Sequence, residues 1–173
     1  MTLAIDHRLL LSDPIVIGGL AVYAVLDQQA PDRPEGDFLS LEEGLKAETL
    51  HVEELNEGGS VPYLRVKNEG GEDVLLLAGE VVTGGKQDRV IIEDVVVAAG
   101  TEQSVKVNCV EHGRWSRGRG SHFGYGGKAE SSLVRKLARK SQRETWDEVA
   151  RLNAQQGTDN ATGTYRASLE KED

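Results

Sequence analysis

The sequence predicts an α+β fold, mainly β: an antiparallel β-meander forming part of a sandwich or barrel, with a short helix in the N-terminal half and a long C-terminal helix. Three observations carry that prediction. Between Val61 and Glu111, four apolar runs rich in β-branched residues are separated by turns bearing Gly, Asn and Asp. Ser40 precedes Glu43 by three residues, ahead of Leu45, which is the pattern of a helix N-terminus. From Leu133 to Leu152 apolar residues recur in steps of three and four, the period of a helix face.

Taken in order, Ile15 to Leu26 is β-branched and reads as one strand, or as two joined at Gly18-Gly19. Pro31, Pro34 and Gly36 make 27–37 a loop. The helix opened by Ser40 gives Leu41, Leu45 and Ala47 a side to bury. "VPYLRVKN" alternates, with Leu64 and Val66 inward and Arg65 and Lys67 outward. After the turn "NEGGED", the run 74–82, "VLLLAGEVV", is apolar enough to be buried on both faces. "TGGKQD" turns into the strand 89–97, and "AAGTEQ" into "SVKVNCVE". The five glycines of 116–127 read as a flexible loop. One long helix is expected over about 131–156, stopped by Gly157. Residues 1–157 are thus expected as a single β-rich domain, and 158–173 as a polar C-terminal tail.

Composition removes several function classes. A single cysteine makes no internal disulfide and no thiolate zinc site. His7, His51, His112 and His122 lack the paired spacing of a metal centre, so neither metal nor cofactor is expected. No phosphate-binding Walker loop or G-x-S-x-G elbow is present, and "GGLAVY" lacks a dinucleotide fingerprint's third glycine. The first fourteen residues show no signal-peptide pattern, and Ile15–Leu26 is too short to cross a bilayer, so a soluble cytoplasmic protein is expected.

The net charge of −9 hides an asymmetry: segment 112–143 carries nine Lys/Arg against Glu130 alone, and the rest of the chain is −17. That pattern fits an anionic ligand, or a basic segment docking on the acidic surface of another copy. Nucleic acid is a weaker partner because the chain as a whole is acidic.

Period two in 104–111 places Val105, Val107, Cys109 and Glu111 on one face. Cys109 lies deeper and reads as a small core residue with an inert thiol. Glu111, at the strand's end, needs a cationic partner, and Lys86, Arg89 and Arg114 are the candidates. Meander topology brings the end of 74–82, the start of 89–97 and the end of 103–110 to one edge. Glu80, Lys86, Gln87, Arg89, Glu111, His112, Arg114 and Trp115 are therefore expected together. Arginine forks suit phosphate and a tryptophan face suits a base or sugar.

"LLLAGEVVTGGKQDRVI", "AGTEQSVKVNCVEHGRW" and "ETWDEVARLN" resemble the ADP-ribosylglycohydrolase- and rhodanese-phosphatase-associated protein domain family, over about 36–153. Its Gly–Lys–Gln–Asn/Asp–Arg turn falls on Gly85, Lys86, Gln87, Asp88 and Arg89. Its Cys–Val–Glu–x–Gly–Arg–Trp segment falls on Cys109, Val110, Glu111, Gly113, Arg114 and Trp115. The resemblance implies a setting in NAD and ADP-ribose metabolism. The expected function is binding, or binding and processing, of an ADP-ribose- or nucleotide-like anion. Lys86, Arg89 and Arg114 would hold phosphate, Gln87 and Trp115 ribose or base, and Glu111 would be the acid/base group. The alternative is a non-catalytic interaction module that forms a homo-oligomer through 112–143.

Overall fold

The structure, a computed structural model, describes residues 9–27, 38–56, 62–114, 122–131, 133–134 and 141–172. The chain divides into two compact units, Met1–Asp37 and Phe38–Asp173. The boundary closes the segment that carries Pro31, Pro34 and Gly36.

In the first unit, β1 (Leu9–Leu11) pairs with β4 (Val25–Asp27), and β2 (Ile15–Ile17) with β3 (Leu20–Val22), both antiparallel. Ser12 N–H donates to Ala24 O at 2.9 Å and Ala24 N–H to Ser12 Oγ at 2.9 Å, which joins the two ladders into one hairpin. Gly18 at its tip has φ +59°, at the first central position of the turn, where a two-residue hairpin loop of this type calls for glycine.

The second unit opens with β5 (Phe38–Ser40) and α1 (Leu41–Lys46). The expected capping box is present: Glu43 N–H donates to Ser40 Oγ, and Ser40 N–H to the Glu43 carboxylate. There follow β6 (Leu50–Glu54), β7 (Tyr63–Asn68), β8 (Asp73–Leu76), β9 (Glu80–Gly84), β10 (Arg89–Ile91), β11 (Val95–Val97), β12 (Glu102–Cys109) and β13 (Phe123–Lys128). Two helices end the chain, α2 (Gln142–Gln156) and α3 (Arg166–Glu172).

Six strands form an antiparallel sheet in the order β13-β9-β10-β12-β7-β6, and a second sheet runs β11-β8-β5 with its β5–β8 pair parallel. The larger sheet curls into a half-barrel whose edge strands approach where Glu53 bridges His122. Inside it lie Val52, Leu64, Val66, Val82, Ile91, Val105, Val107 and Phe123. The other face of β9 and β10 presents Val81 and Val90 to α2, α3 and the turn before them, with Leu133, Val149, Leu152 and Tyr165. Burial on both faces, expected for 74–82, thus holds for its second half and extends to β10.

Four expectations need correction. The runs 74–82 and 89–97 are each two strands, broken at Leu77–Gly79 and Ile92–Asp94, so that β8 and β11 pair in the smaller sheet. Gly79, with φ +94°, makes the first break, and a Cβ there would strike Val134. As a result β7 pairs with β12 and β6 and not with the run that follows it.

The glycine-rich stretch is in part an edge strand. β13 pairs with β9, because Phe123 fills the core and Gly126 lets the strand pass within 3.2 Å of the Val81 carbonyl, measured from a Cβ position glycine leaves empty.

The long C-terminal helix does not form as expected. Ser141 is extended (φ −65°, ψ 161°) and caps α2 through a second capping box with Glu144, so the helix begins at Gln142. Before it, Ser131, Leu133 and Val134 are helical, and 135–140 lie outside the described residues. Gly157, with φ +66°, ends α2 as expected.

The stretch from 158 is no loose polar tail either. Tyr165 is fully buried, its hydroxyl accepts from Glu130 N–H, and Leu169 packs beside it. Three apolar side chains were too few in a polar sequence to mark the helix from outside. Among the described residues no helix is long and apolar enough to cross a membrane.

Candidate functional site

The two motif segments meet at one end of the half-barrel, because β9 and β12 both flank β10 and point the same way. The turn Gly84–Asp88 leaves β9, and Val110–Arg114 leaves β12. Lys86, Gln87, Arg89, Glu111, His112 and Arg114 are brought to that end. Glu80 is not. It begins β9, a full strand from the turn, where its carboxylate accepts from Leu77 N–H at 2.8 Å and lies opposite Lys128. Burial holds its pKa above the usual carboxylate value, against that hydrogen bond and Lys128. The break at Leu77–Gly79 is the reason: Glu80 starts a strand where the sequence suggested that it ended one. Trp115 lies outside the described residues.

Arg114 is the hub. Its Nε donates to both Glu111 oxygens at 3.0 Å and its Nη2 to Glu111 Oε2 at 2.7 Å. Nη1 reaches Gly85 O at 2.8 Å; Nη2 also reaches Gly84 O and Asp88 Oδ1, each at 3.2 Å. Glu111 Oε2 in turn accepts from Asp88 N–H at 3.1 Å. Burial pushes the Glu111 carboxyl up, but the Arg114 hydrogen bonds, the Asp88 amide, the Arg114 charge and Thr162 outweigh it and hold the pKa below the ordinary value. Asp88 is equally engaged: Oδ1 accepts from Gly84 N–H at 3.0 Å and Oδ2 from Thr164 Oγ1 at 3.0 Å.

Arg89 is fully buried on the barrel side, level with Cys109 and Val82 in register. Its Nη1 donates to Gln87 O at 3.0 Å, and its Nη2 stands 3.7 Å from Glu54 Oε1. The same Glu54 oxygen accepts from Lys86 N–H at 2.9 Å. Gly85, with φ +46°, is required here: a Cβ would land on the Phe123 ring and 2.9 Å from Glu54 Oε1. Its carbonyl is thereby free to face Arg114.

Two segments close the end from outside, α2 and the loop that carries Thr162. Gln142 donates to Cys109 O at 2.7 Å and accepts from Cys109 N–H at 2.8 Å, so the first residue of α2 clamps the last of β12. Thr162 O accepts from His112 N–H and Gly113 N–H at 3.1 and 2.7 Å. The His112 ring meets Trp146 edge-on, with centroids 4.4 Å apart. Cys109 itself is fully buried, and that burial pushes its thiol up to about 11, partly opposed by Arg89.

The partnering differs from the expectation in one respect and extends it in another. Of the three cations considered for Glu111, Arg114 takes it, while Arg89 pairs with Glu54. Glu54, Asp88, Gln142, Thr162 and Thr164 were not anticipated. Asp88 was visible inside the motif. Glu54 ends the alternating "LHVEE", a strand signal whose last residue faces the barrel. The two threonines are distant in sequence and carried no signal.

Elsewhere, a surface cleft of about 390 Å³ is bordered by His51, Glu53, Arg65, Lys67, Glu69 and His122. Basic side chains there face carboxylates: His51 stands by Glu69 and His122 by Glu53 at 3.1 Å, Arg65 pairs with Glu102 at 3.3 Å, and Lys67 with Glu69. No group of three or more His, Cys, Asp or Glu among the described residues is placed to hold a metal ion.

A curled antiparallel sheet, closed at one end by a buried ion-pair network and backed by two short helices, defines the class: a small, mainly β domain. The chain belongs to the ARG and Rhodanese-Phosphatase-superfamily-associated Protein domain family, ARPP-1, whose match covers residues 8–173. The resemblance read from the two motifs comes close to this description without coinciding with its wording, and the match runs beyond 36–153 at both ends. No curated protein and no solved structure matches the chain.

Proposed function

We propose that this domain is a non-catalytic interaction module, acting by association through surfaces that its framework holds in place. The state of Glu111 supports this reading best. A general acid or base needs a pKa near the working pH and an oxygen open to the substrate. Glu111 is buried, its pKa is held low, and both oxygens are engaged by Arg114 and the Asp88 amide. The partner is a second copy of the chain, drawn by the opposite charges of segment 112–143 and the acidic remainder. Of that segment's cations, Arg114 turns inward, while Lys128 and Arg143 are exposed. Light scattering at low and high salt tests this. Association that weakens with salt supports it, and a monomer in both conditions refutes it.

A second reading, binding of an ADP-ribose-like anion, is favoured by one observation: the turns carrying Lys86, His112 and Arg114 lie together at the sheet end. Calorimetric titration with ADP-ribose and with NAD decides it. Binding lost in Lys86→Ala supports the reading, and no heat at millimolar ligand removes it.

A further inference from the structure

We propose that the surface cleft beside β6 binds a sugar phosphate, with Arg65 and Lys67 taking the phosphate and His51 and His122 taking hydroxyls. The inference goes beyond both readings above, because none of these four side chains takes part in the Arg114 network. It starts from the pleat. Val52, Leu64, Val66 and Val105 face the barrel core, so His51, Glu53, Arg65, Lys67 and Glu102 face outward. Register sets His51 opposite Lys67, and Glu53 opposite Arg65 on one side and His122 on the other. The two histidines are therefore diagonal neighbours across the edge strands, about 7–8 Å apart, with both cations on the next strand. The cleft they border, about 390 Å³, falls within the usual size of a ligand site, about 300–1,000 Å³.

The two cations are available to an anion. Arg65 Nη2 donates to Leu55 O at 3.0 Å, and its Nε stands 3.3 Å from Glu102 Oε1. Its Nη1 has no hydrogen-bond partner among the described residues, so part of the fork is unspent. Lys67 pairs with Glu69. In both pairs the side chains are 41–50% exposed. Ion pairs in that position contribute little, so a phosphate can take the place of either carboxylate, which then returns to water. At the sheet end the same exchange would strand Glu111 in the interior.

The histidines set the rest of the ligand. A carboxylate only accepts, so His51 donates from Nε2 to Glu69 and His122 from Nδ1 to Glu53, each at 3.1 Å. In the neutral ring this leaves a lone pair on Nδ1 of His51 and on Nε2 of His122, and a lone pair takes a hydroxyl. Every residue lining the cleft is His, Glu, Arg or Lys. It offers no apolar face to a nucleobase, which separates a sugar phosphate from a nucleotide.

The test is calorimetric titration of the full chain at neutral pH with ribose 5-phosphate, ribose and inorganic phosphate. Ribose 5-phosphate should bind about tenfold tighter than either of the others, since only it uses both halves of the cleft. Arg65→Gln/Lys67→Gln should weaken it about tenfold while barely moving the melting temperature, because both pairs are exposed. His51→Ala/His122→Ala should bring it down to the affinity of inorganic phosphate. Glu102→Gln removes the competitor of Arg65 and should tighten binding about threefold, which a purely structural pair would not do. No heat with ribose 5-phosphate at millimolar concentration, or binding that the cleft variants leave unchanged, overturns the proposal. Binding lost in Lys86→Ala and kept in Arg65→Gln/Lys67→Gln overturns it too, and moves the ligand to the sheet end. Inorganic phosphate bound as tightly as ribose 5-phosphate overturns the role of the histidines and the ligand class with it.

Discussion

Replacing Glu111 by Gln tests whether the sheet-end cluster is framework or chemistry. The substitution is nearly isosteric and removes only the charge and one acceptor. With the amide oxygen at the Oε2 position, it still accepts from Asp88 N–H and Arg114 Nη2, but the NH₂ group then faces the Arg114 Nε–H, donor against donor. Removing one partner of a buried pair costs about 3–5 kcal/mol, because the other charge is left in low dielectric. Arg114 keeps Asp88, Gly84 O and Gly85 O and is partly exposed, which favours the lower end, about 3 kcal/mol. For a chain of this length that is about 6–12 °C in Tm, or about 1.5 M in urea midpoint at a slope of about 2 kcal/mol/M.

The pH dependence is a second readout. The folded pKa of Glu111 lies below the ordinary carboxylate value of 4.5, so its contribution is complete above that value and is lost as pH falls through the folded pKa. The gap between parent and variant should therefore be full at neutral pH and shrink in acid below 4.5. Urea titrations monitored by tryptophan fluorescence, at neutral and acid pH, measure both. A gap under about 1 kcal/mol at neutral pH, or one that does not narrow in acid, would refute the reasoning. A fully stable variant that has lost a function would return Glu111 to the role of acid/base group expected from the sequence.

Arg89→Met should cost about 3–5 kcal/mol, since it leaves the Glu54 carboxylate buried beside an apolar side chain, whereas Arg89→Met/Glu54→Leu should recover most of that loss; denaturation of both variants checks it. Cys109 should resist iodoacetamide in native protein at pH 8 and be alkylated completely in denaturant, because burial holds its thiol near 11; mass spectrometry reads the adduct. Ser141→Ala should cost about 1 kcal/mol by removing the acceptor for Glu144 N–H, and an unchanged melting temperature would argue that α2 does not depend on this cap.

The local chemistry was legible where one residue decides it. Ser40 with Glu43, Gly18-Gly19 and Gly157 acted as their types require. Convergence of the two motifs was legible as well, because it needs only that β9 and β12 flank β10. What failed was continuity. A nine-residue, mostly apolar run looks like one strand, yet Gly79 at φ +94° sends its halves to different sheets, and that choice depends on partners far along the chain. The long helix failed for a related reason. Periodicity passed unbroken through Ser141, whose capping bond with Glu144 competes locally with continuing the helix and wins. Thr162 accepts from a turn about 50 residues earlier in the chain, and Thr164 donates to Asp88 across 76 residues, separations no local pattern encodes.

Dense charge in two short motifs suggested an anion site, and the count of donors and acceptors separates that reading from a clamp. An arginine waiting for phosphate keeps part of its fork unspent. All three nitrogens of Arg114 already donate, to one carboxylate bidentately and to Asp88, Gly84 O and Gly85 O besides. Arg89 has no exposure at all. A phosphate that displaced Glu111 from Arg114 would leave that carboxylate buried without its cation, at a cost of about 3–5 kcal/mol. The charges Arg89, Arg114 and Lys86 are balanced in number by Glu54, Asp88 and Glu111. These residues are therefore interdependent for a structural reason: each carboxylate is tolerable in the barrel end because a neighbouring cation or amide is fixed there, and Gly84-Gly85 is fixed because its carbonyls must reach Arg114. Such a network holds two turns at a set separation, so whatever the domain recognises at this end would be read by the exposed parts of those turns, with His112 among them, and not by the charges buried beneath.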